Sequence, residues 1–155
     1  MTTSRLMMLF PLSKFVIIDL FPNCSLAYIF LSAMFGTDQV QLVTEHDSHS
    51  FKDFKENKSR CLIIPPWLVK FLNDNADVVI NTMSFQHMNI NNLIFYDHLM
   101  NHAKVKYLYQ VNRTIKKDLE DITIANQPWV HRSQVLHQSN LFPNTAHMEQ
   151  FSRLS

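Results

Sequence analysis

Short apolar runs along the chain predict strands that are buried within a sheet. Phe15–Ile18 and Cys61–Ile64 are continuous apolar runs, and Asp77–Asn81 contains a third. Such runs are typical of parallel strands that are covered on both faces. Residues 104–111 alternate instead, which predicts a fourth strand with an apolar side and a wetter side that includes Gln110.

Helical patterns separate these predicted strands. Apolar residues occupy nearly every position of Cys24–Phe35, which predicts a deeply buried helix with Asn23 or Ser25 as its N-cap and Gly36 just after its last turn. A short helix is expected to begin at Pro66, because proline is favoured in the first turn of a helix. Strands that alternate with helices in this way indicate an α/β fold with a parallel sheet.

The second half of the chain predicts one longer helix and a hairpin. Asn89 is the expected N-cap of a helix that ends near Ala103. The apolar face of this helix consists of Leu93, Tyr96, Met100 and Ala103. Residues 129–137 and 147–154 are expected to pair as an antiparallel hairpin. The remaining predictions are a short strand at residues 39–43, a polar loop at 44–60 and a helical turn at 115–121.

Composition narrows the class of protein. A chain of 155 residues with 46% hydrophobic and 17% charged residues is expected to form a single globular domain, residues 1–155. The net charge of +1 gives no field that would attract a nucleic acid. No apolar run reaches the length of about 18–20 residues that a membrane span needs. We therefore expect neither a nucleic-acid nor a membrane partner. Two cysteines fit a reducing compartment, so we expect a cytoplasmic protein.

Glycine is nearly absent, and this excludes several kinds of nucleotide site. At average usage a chain of this length would contain about eleven glycines, whereas Gly36 is the only one here. Neither a Walker loop nor a G-x-G-x-x-G turn can therefore be formed by these residues. A nucleotide-like cofactor would have to be held by other groups, or by a segment outside this sequence.

Residues that follow the predicted strands are the candidates for chemistry, since ligands bind at the carboxyl ends of strands in open α/β sheets. The residues in these positions are Asp19, Pro65–Trp67, Asn81–Met88 and Asn112–Arg113. Asp19 follows the first buried run and is able to accept hydrogen bonds from ribose hydroxyls, or alternatively to cap the next turn through Asn23. The segment Asn81–Met88 combines an amide, a hydroxyl and an imidazole. It is interpreted either as the rim of a pocket or as an ordinary loop before a helix, in which Phe85 packs and Asn81 binds local backbone.

The order of these segments resembles the sugar O-methyltransferases, a family of class I S-adenosylmethionine-dependent methyltransferases. The resemblance covers about residues 5 to 113 and is most specific in the asparagine-to-methionine segment. It is carried by Val16–Leu20 with Pro22, Ala27–Ser32, Ile63–Trp67, Asp77–Met88 and Tyr107–Arg113.

The resemblance implies a fold, a cofactor and a set of site residues. The fold would be a Rossmann-like, seven-stranded sheet, the cofactor S-adenosylmethionine, and the acceptor a sugar or glycan hydroxyl. Asp19 would bind the ribose, and Pro66 and Trp67 would lie beside the adenine. The residues near the methionine moiety and the methyl acceptor would be Asn81, Ser84, Phe85 and Gln86.

His87 stands where the family usually has a glutamate. If the His87 ring faces the pocket, it is suited to remove the proton of the acceptor hydroxyl, because an unperturbed imidazole titrates near pH 6.5. The alternative is an exposed or merely hydrogen-bonded histidine.

The family's first strand and its glycine-rich turn have no counterpart in this sequence. In the family this strand lies between the second and the fourth, which here would be the strands at Val16–Asp19 and Asp77–Asn81. Without it, both neighbours would have an open edge with unpaired backbone groups. The sequence therefore predicts the C-terminal portion of a methyltransferase domain. The alternative is a non-catalytic remnant or interaction module of the same ancestry, which recruits another chain by strand pairing.

No metal site is assigned from the histidines or cysteines. His98 and His102 are four residues apart on a predicted helix, as zinc ligands can be, but the pattern supplies no third ligand. Cys24 and Cys61 lie in apolar runs, where a buried thiol is the usual state.

Overall fold

The computed structural model describes residues 2–45, 48–56, 58–72, 75–115, 122–140 and 146–155. The chain divides into two compact units, residues 1–73 and 74–155. Each unit contains its own sheet. The predicted turn at 115–121 and the tip of the predicted hairpin fall largely outside the described residues.

The N-terminal unit is a three-stranded parallel sheet with helices. Its elements are α1 (Thr2–Leu9), β1 (Phe15–Ile18), α2 (Phe21–Phe35), β2 (Val40–Leu42), α3 (Ser48–Lys55), β3 (Cys61–Ile64) and a 3₁₀ helix (Pro66–Phe71). The strand order is β1-β3-β2, and both pairs are parallel. The core is formed by Met7, Cys24, Leu31, Val40, Cys61 and Ile63. The predicted strands and the short helix after Pro65 are thus confirmed.

Three expectations for the helices and the loop of this unit are wrong. Helix α2 begins at Phe21, not after Asn23, because Pro22 occupies the first turn, where its missing N–H is not needed. Segment 44–60 contains α3 where a loop was expected. Much of α2 is exposed, including Leu26 and Ile29, because only one side of the helix faces the sheet.

The end of α2 follows the sequence prediction. Gly36 has φ +95° and donates its backbone N–H to Ser32 O at 2.9 Å. A Cβ atom at this position would lie 2.5 Å from Asp38 Oδ1. The backbone conformation and the short distance both favour glycine here.

The C-terminal unit is a four-stranded mixed sheet. Its elements are β4 (Val78–Thr82), a 3₁₀ helix (Phe85–His87), α4 (Ile90–His102), β5 (Tyr107–Arg113), 3₁₀ helices at Ile124–Asn126 and Pro128–Arg132, β6 (Ser133–Asn140) and β7 (His147–Leu154). The strand order is β4-β5-β7-β6. Strands β4 and β5 are parallel, whereas β7 is antiparallel to both β5 and β6. The predicted hairpin is confirmed.

Helix α4 covers one face of this sheet as predicted. The side chain of Asn89 accepts a hydrogen bond from Asn92 N, which confirms the N-cap. Leu93 and Met100 are buried, and Tyr96 and Ala103 contact the same core. The rest of that core includes Phe85, Val105, Leu108, Ile122, Trp129 and Leu154.

The predicted faces of β5 are wrong at Gln110, although Val105 and Val111 are buried and Lys104 and Lys106 are exposed as expected. Gln110 was assigned to the wetter side, yet it is 1% exposed, and the neighbouring Leu108 and Asn112 on the same face are fully buried. Tyr107 and Tyr109, which the alternation placed on the covered side, are only half-buried. Helix α4 and the 3₁₀ segments cover the face that carries the amides, and the sequence of β5 alone does not show which face they choose.

Strands β1 and β4 each lie at an edge of their own sheet. Val16 and Ile18 are 38% and 36% exposed, and Val78 and Ile80 are 47% and 45% exposed. The prediction that these strands are buried on both faces is therefore wrong. Within the described residues, no helix is long and apolar enough to cross a membrane.

Candidate functional site

The loop after β4 turns sharply away from the sheet. Met83 has φ +63° and donates its backbone N–H to Val111 O at 2.7 Å, which ties the turn to β5. A non-glycine residue in the left-handed region is uncommon, and such conformations are concentrated at functional sites. The strained turn therefore supports the choice of this loop as a candidate site.

Asn81 and Gln86 hold the loop in place. Asn81 Oδ1 accepts hydrogen bonds from Phe85 N and from Asn112 Nδ2, both at 3.2 Å. Gln86 Oε1 accepts a hydrogen bond from Arg113 N at 3.0 Å. Both amide side chains are buried, so the loop is anchored at the carboxyl ends of β4 and β5.

His87 is exposed and contacts Gln86. The Gln86 Nε2 and His87 Nε2 atoms are 3.1 Å apart. Because Gln86 Oε1 faces the Arg113 N–H, which can only donate, Gln86 presents its NH₂ group to the imidazole. His87 Nε2 therefore accepts this bond and its ring proton is on Nδ1. The lone pair on Nε2 is the group through which an imidazole acts as a general base.

Ser84 and Phe85 have opposite surroundings. Ser84 is exposed and can be reached by a ligand. Phe85 is buried in the core, where its ring centroid lies 4.9 Å from that of Trp129 and 5.9 Å from that of Tyr96. The placement of Phe85 matches the alternative interpretation, in which it is a packing residue. The expected ligand contact of Phe85 stays a prediction.

Asp19, Pro66 and Trp67 belong to the N-terminal unit. Strands β1 and β3 are neighbours and run parallel, and Asp19 N donates to Ile64 O at 3.3 Å. Asp19 and the Pro65–Pro66 segment thus lie at the same edge of the sheet, as predicted. Trp67 is 55% exposed, and an exposed indole offers a flat apolar surface for stacking.

The Asp19 carboxylate already has local partners. Its Oδ1 accepts hydrogen bonds from Leu20 N at 2.7 Å and from Asn23 Nδ2 at 3.0 Å. This is the capping arrangement that the sequence left as an alternative. Only Oδ1 takes part in these bonds, so Oδ2 is the oxygen that would accept from a ribose hydroxyl.

Gln110 was not among the candidate residues that the sequence indicated, whereas Asn112 was one of the residues that follow a predicted strand. Asn112 Nδ2 donates to Gln110 Oε1 at 3.0 Å, and Gln110 Nε2 donates to Gln150 Oε1 at 3.1 Å. These amides extend the hydrogen bonds of Asn81 across three strands. A detectable signal was present in the sequence, since amides alternate with tyrosine and valine along β5 at the period of one face.

In the part of the chain that the structure describes, the cysteines and histidines form no further centre. Burial raises the pKa of the Cys61 thiol to about 12, and burial also raises the pKa of Cys24. His98 and His102 are exposed on α4. The described part of the chain contains no group of three potential metal ligands.

A cavity of about 420 Å³ lies elsewhere in the C-terminal unit. It is lined by residues 131–134 and 153–155, and it includes Arg132 and Arg153. None of the site residues predicted from the sequence lines this cavity.

The comparisons with known proteins do not identify a family. The chain matches no protein-family model and no curated protein. The α/β class rests on the structure itself.

Proposed function

We propose that this chain is the portion of an S-adenosylmethionine-dependent O-methyltransferase that follows the first strand of the domain, with a sugar or glycan hydroxyl as acceptor. One observation carries the proposal. The two strands that the resemblance places beside the absent first strand, β1 and β4, are edge strands with exposed apolar side chains. Edge strands are normally blunted by charges or covered, whereas Val16, Ile18, Val78 and Ile80 are uncharged and 36–47% exposed.

The side chains present fit part of the cofactor. Asp19 has an oxygen outside its local hydrogen bonds, and Trp67 has an exposed indole, which suits the ribose and the adenine. The cofactor, when bound, supplies an electrophilic methyl group to an oxygen nucleophile. The glycine-rich turn that would approach the cofactor is absent from these residues, since Gly36 is at the end of α2. We therefore expect the 155-residue chain to bind S-adenosylmethionine poorly.

The protein's contribution to the reaction would be alignment and removal of one proton. Methyl transfer is an in-line displacement, so holding the reactants in the correct orientation supplies much of the acceleration. Asn81, Ser84 and Gln86 are the polar groups of the loop that would position the ligands. His87 is the group that would take the proton of the acceptor hydroxyl at Nε2, after release of the hydrogen bond from Gln86.

Isothermal titration calorimetry with S-adenosylmethionine tests this proposal. Two proteins are compared, the 155-residue chain and a version that is extended at its N-terminus by the residues encoded upstream in the same reading frame. We expect binding by the extended protein and weak or undetectable binding by the shorter chain. The Asp19→Asn variant of the extended protein should bind more weakly. A carboxamide has only one acceptor oxygen, and its NH₂ group cannot accept a hydrogen bond from a ribose hydroxyl.

Two outcomes contradict the proposal. Tight binding by a folded monomer of the 155-residue chain would mean that a complete site exists without the first strand. Failure of an extended protein that contains a glycine-rich turn to bind the cofactor would remove the methyltransferase assignment.

A second candidate is a non-catalytic interaction module of the same ancestry. The exposed apolar edges of β1 and β4 favour it equally, because an edge strand is able to pair with a strand of another chain. The upstream reading frame distinguishes the two functions. A glycine-rich turn encoded directly upstream of Met1 supports the enzyme, and its absence supports the interaction module.

A further inference from the structure

Buried amide side chains cross the sheet of the C-terminal unit. Asn81 on β4, Gln110 and Asn112 on β5, and Gln150 on β7 are all at most 8% exposed. Asn81 is paired with Gln110 in the register of β4 and β5, and Gln110 is paired with Gln150 in that of β5 and β7. Buried polar groups are unfavourable unless they are hydrogen-bonded, so a line of four amides is not explained by packing.

In each hydrogen bond of this line, the donor and the acceptor can be assigned. The backbone N–H of Phe85 can only donate, so the Asn81 atom that it contacts is the oxygen. The Asn112 atom that contacts the same oxygen must then be the nitrogen. That nitrogen also donates to Gln110, which therefore presents Oε1 to Asn112 and Nε2 to Gln150. One backbone donor thus determines the orientation of every amide in the line.

Asn112 donates two hydrogen bonds to the other amides, while its own oxygen is unsatisfied within the part of the chain that the structure describes. Its Nδ2 donates twice, to Asn81 and to Gln110, while its fully buried Oδ1 has no hydrogen-bond partner in the described residues. An apolar side chain would fill the same space in the core without leaving a buried oxygen unsatisfied. The position therefore uses the two donors.

These hydrogen bonds determine which atom of Asn81 has partners. Its Oδ1 accepts from two donors, and no described residue accepts a hydrogen bond from its Nδ2. Asn81 lies at the carboxyl end of β4, directly before the strained turn at Met83. The amide nitrogen is thus the group of Asn81 whose hydrogen-bonding capacity the described residues do not use.

We propose that Gln110 and Asn112 are positioning residues that hold Asn81 in one orientation, so that Asn81 Nδ2 donates a hydrogen bond to an oxygen of the bound ligand. The inference rests on the proposed function for the identity of the ligand. Two ligand oxygens have the required acceptor chemistry, the carboxylate of the methyl donor and a hydroxyl of the sugar. Because Asn81 Nδ2 is a donor, a ligand group that can only donate hydrogen bonds cannot bind to it.

Hydrogen exchange measured by NMR tests the positioning step without any ligand. In the Asn112→Asp variant an oxygen replaces the donor, so the Asn81 amide is expected to turn and Phe85 N–H to lose its acceptor. We expect exchange of the Phe85 amide to accelerate about tenfold or more, with little change at Leu108 in the same sheet. The control Asn140→Asp introduces the same charge at an exposed site of β6. Unchanged Phe85 exchange in Asn112→Asp, or equal acceleration at Leu108, would overturn the positioning role.

The Asn81→Asp variant separates the two atoms of Asn81. A carboxylate still accepts from Phe85 N and Asn112 Nδ2, so Phe85 should stay protected, but the donor to the ligand is lost. Full loss of Phe85 protection in Asn81→Asp would contradict this orientation. Retained protection supports it.

Ligand titrations followed at the Asn81 NH₂ resonances, in the 155-residue chain and in its N-terminally extended version, test the second step. A shift with S-adenosylhomocysteine, and none with 5′-methylthioadenosine, identifies the carboxylate as the acceptor. A shift with a methyl glycoside identifies the sugar hydroxyl. Binding of S-adenosylhomocysteine that shifts backbone resonances but leaves Asn81 NH₂ unchanged overturns the donor role while the proposed function survives. Absence of binding by every probe, also in the extended protein, overturns the proposed function and the donor role together.

Discussion

The side chains around the loop after β4 fall into those that hold the loop and those that it presents. Phe85, Asn81 and Gln86 are buried and bind the core or the strand ends. Ser84 and His87 are exposed and remain accessible to a ligand. The chemistry of the loop therefore depends on buried residues that hold its exposed side chains in place.

Replacement of Phe85 by alanine tests its anchoring role. The ring is 3% exposed and contacts Trp129 and Tyr96, so its removal leaves a cavity and should lower the free energy of unfolding by about 3–5 kcal/mol. Urea denaturation followed by Trp129 fluorescence, in a Trp67→Phe background, measures the change. The control Phe95→Ala removes a ring that is 41% exposed and should cost less than about 1 kcal/mol. Equal losses would mean that Phe85 is not a core residue.

Cys61 makes stability depend on pH at the alkaline end. Burial raises the pKa of its thiol from 9.0 to about 12, so above pH 9 the unfolded chain releases a proton that the folded chain retains. The contribution is fully present below pH 9 and is lost as pH rises from 9 towards 12. The urea midpoint of the wild type should therefore fall more steeply between pH 8 and pH 10 than that of Cys61→Ala. Parallel pH profiles would show that the thiol ionises equally in both states.

At the scale of elements, one ion pair joins α4 to the 3₁₀ helix at Pro128–Arg132. Asp97 Oδ1 accepts hydrogen bonds from Arg132 Nη2 at 2.6 Å and from Arg132 Nε at 3.2 Å. The two side chains are only 17% and 13% exposed. The pair therefore holds Trp129, which precedes Arg132 in the same helix, against the core.

The Asp97→Asn variant should lower the free energy of unfolding by about 2–3 kcal/mol, because a largely buried guanidinium loses its counter-charge. The matched control is Asp77→Asn, which breaks an exposed pair with Lys106 of similar length, 2.7 Å. Since exposed pairs are screened by water, the control should leave the urea midpoint unchanged. Similar effects of the two variants would contradict the importance of burial.

Some elements were predictable because their signals are local. The cap at Asn89 and the glycine after α2 depend on a few neighbouring residues, and both are confirmed. The start of α2 was missed because Pro22 is compatible with both a break and a first helical turn. The buried side of β5 was missed because alternation gives the period of a strand but not which face a distant helix covers.

For the whole molecule, the prominent feature is apolar surface without a covering layer. In addition to the side chains on the edge strands β1 and β4, Leu26 and Ile29 on helix α2 are exposed. Contiguous exposed apolar surface on a protein marks an interaction site or a tendency to associate. We expect the 155-residue chain to self-associate as its concentration rises.

Charge placed on the edge of β4 should reduce this association. Ile80→Lys introduces a cation where strand pairing would bury it, so light scattering at high protein concentration and binding of an apolar dye should fall about twofold. The control Gln138→Lys lies on β6, the opposite edge of the same sheet, where the residue is already polar and exposed. Equal effects of the two variants would mean that net charge, not the β4 edge, controls association.

The amino-acid sequence by itself determined where the strands and the two long helices form, apart from the start of α2, because apolar runs, caps and the single glycine act over a few residues. It also led to the expectation that β1 and β4 have an open edge, and both are edge strands in the structure. Only the tertiary structure decided which amides are buried and how Asn81 is oriented. Gln110 and Gln150 are 40 residues apart in the chain, and the register that joins them depends on the pairing of β5 with β7. The direction of each hydrogen bond follows from that long-range pairing, which no local pattern contains.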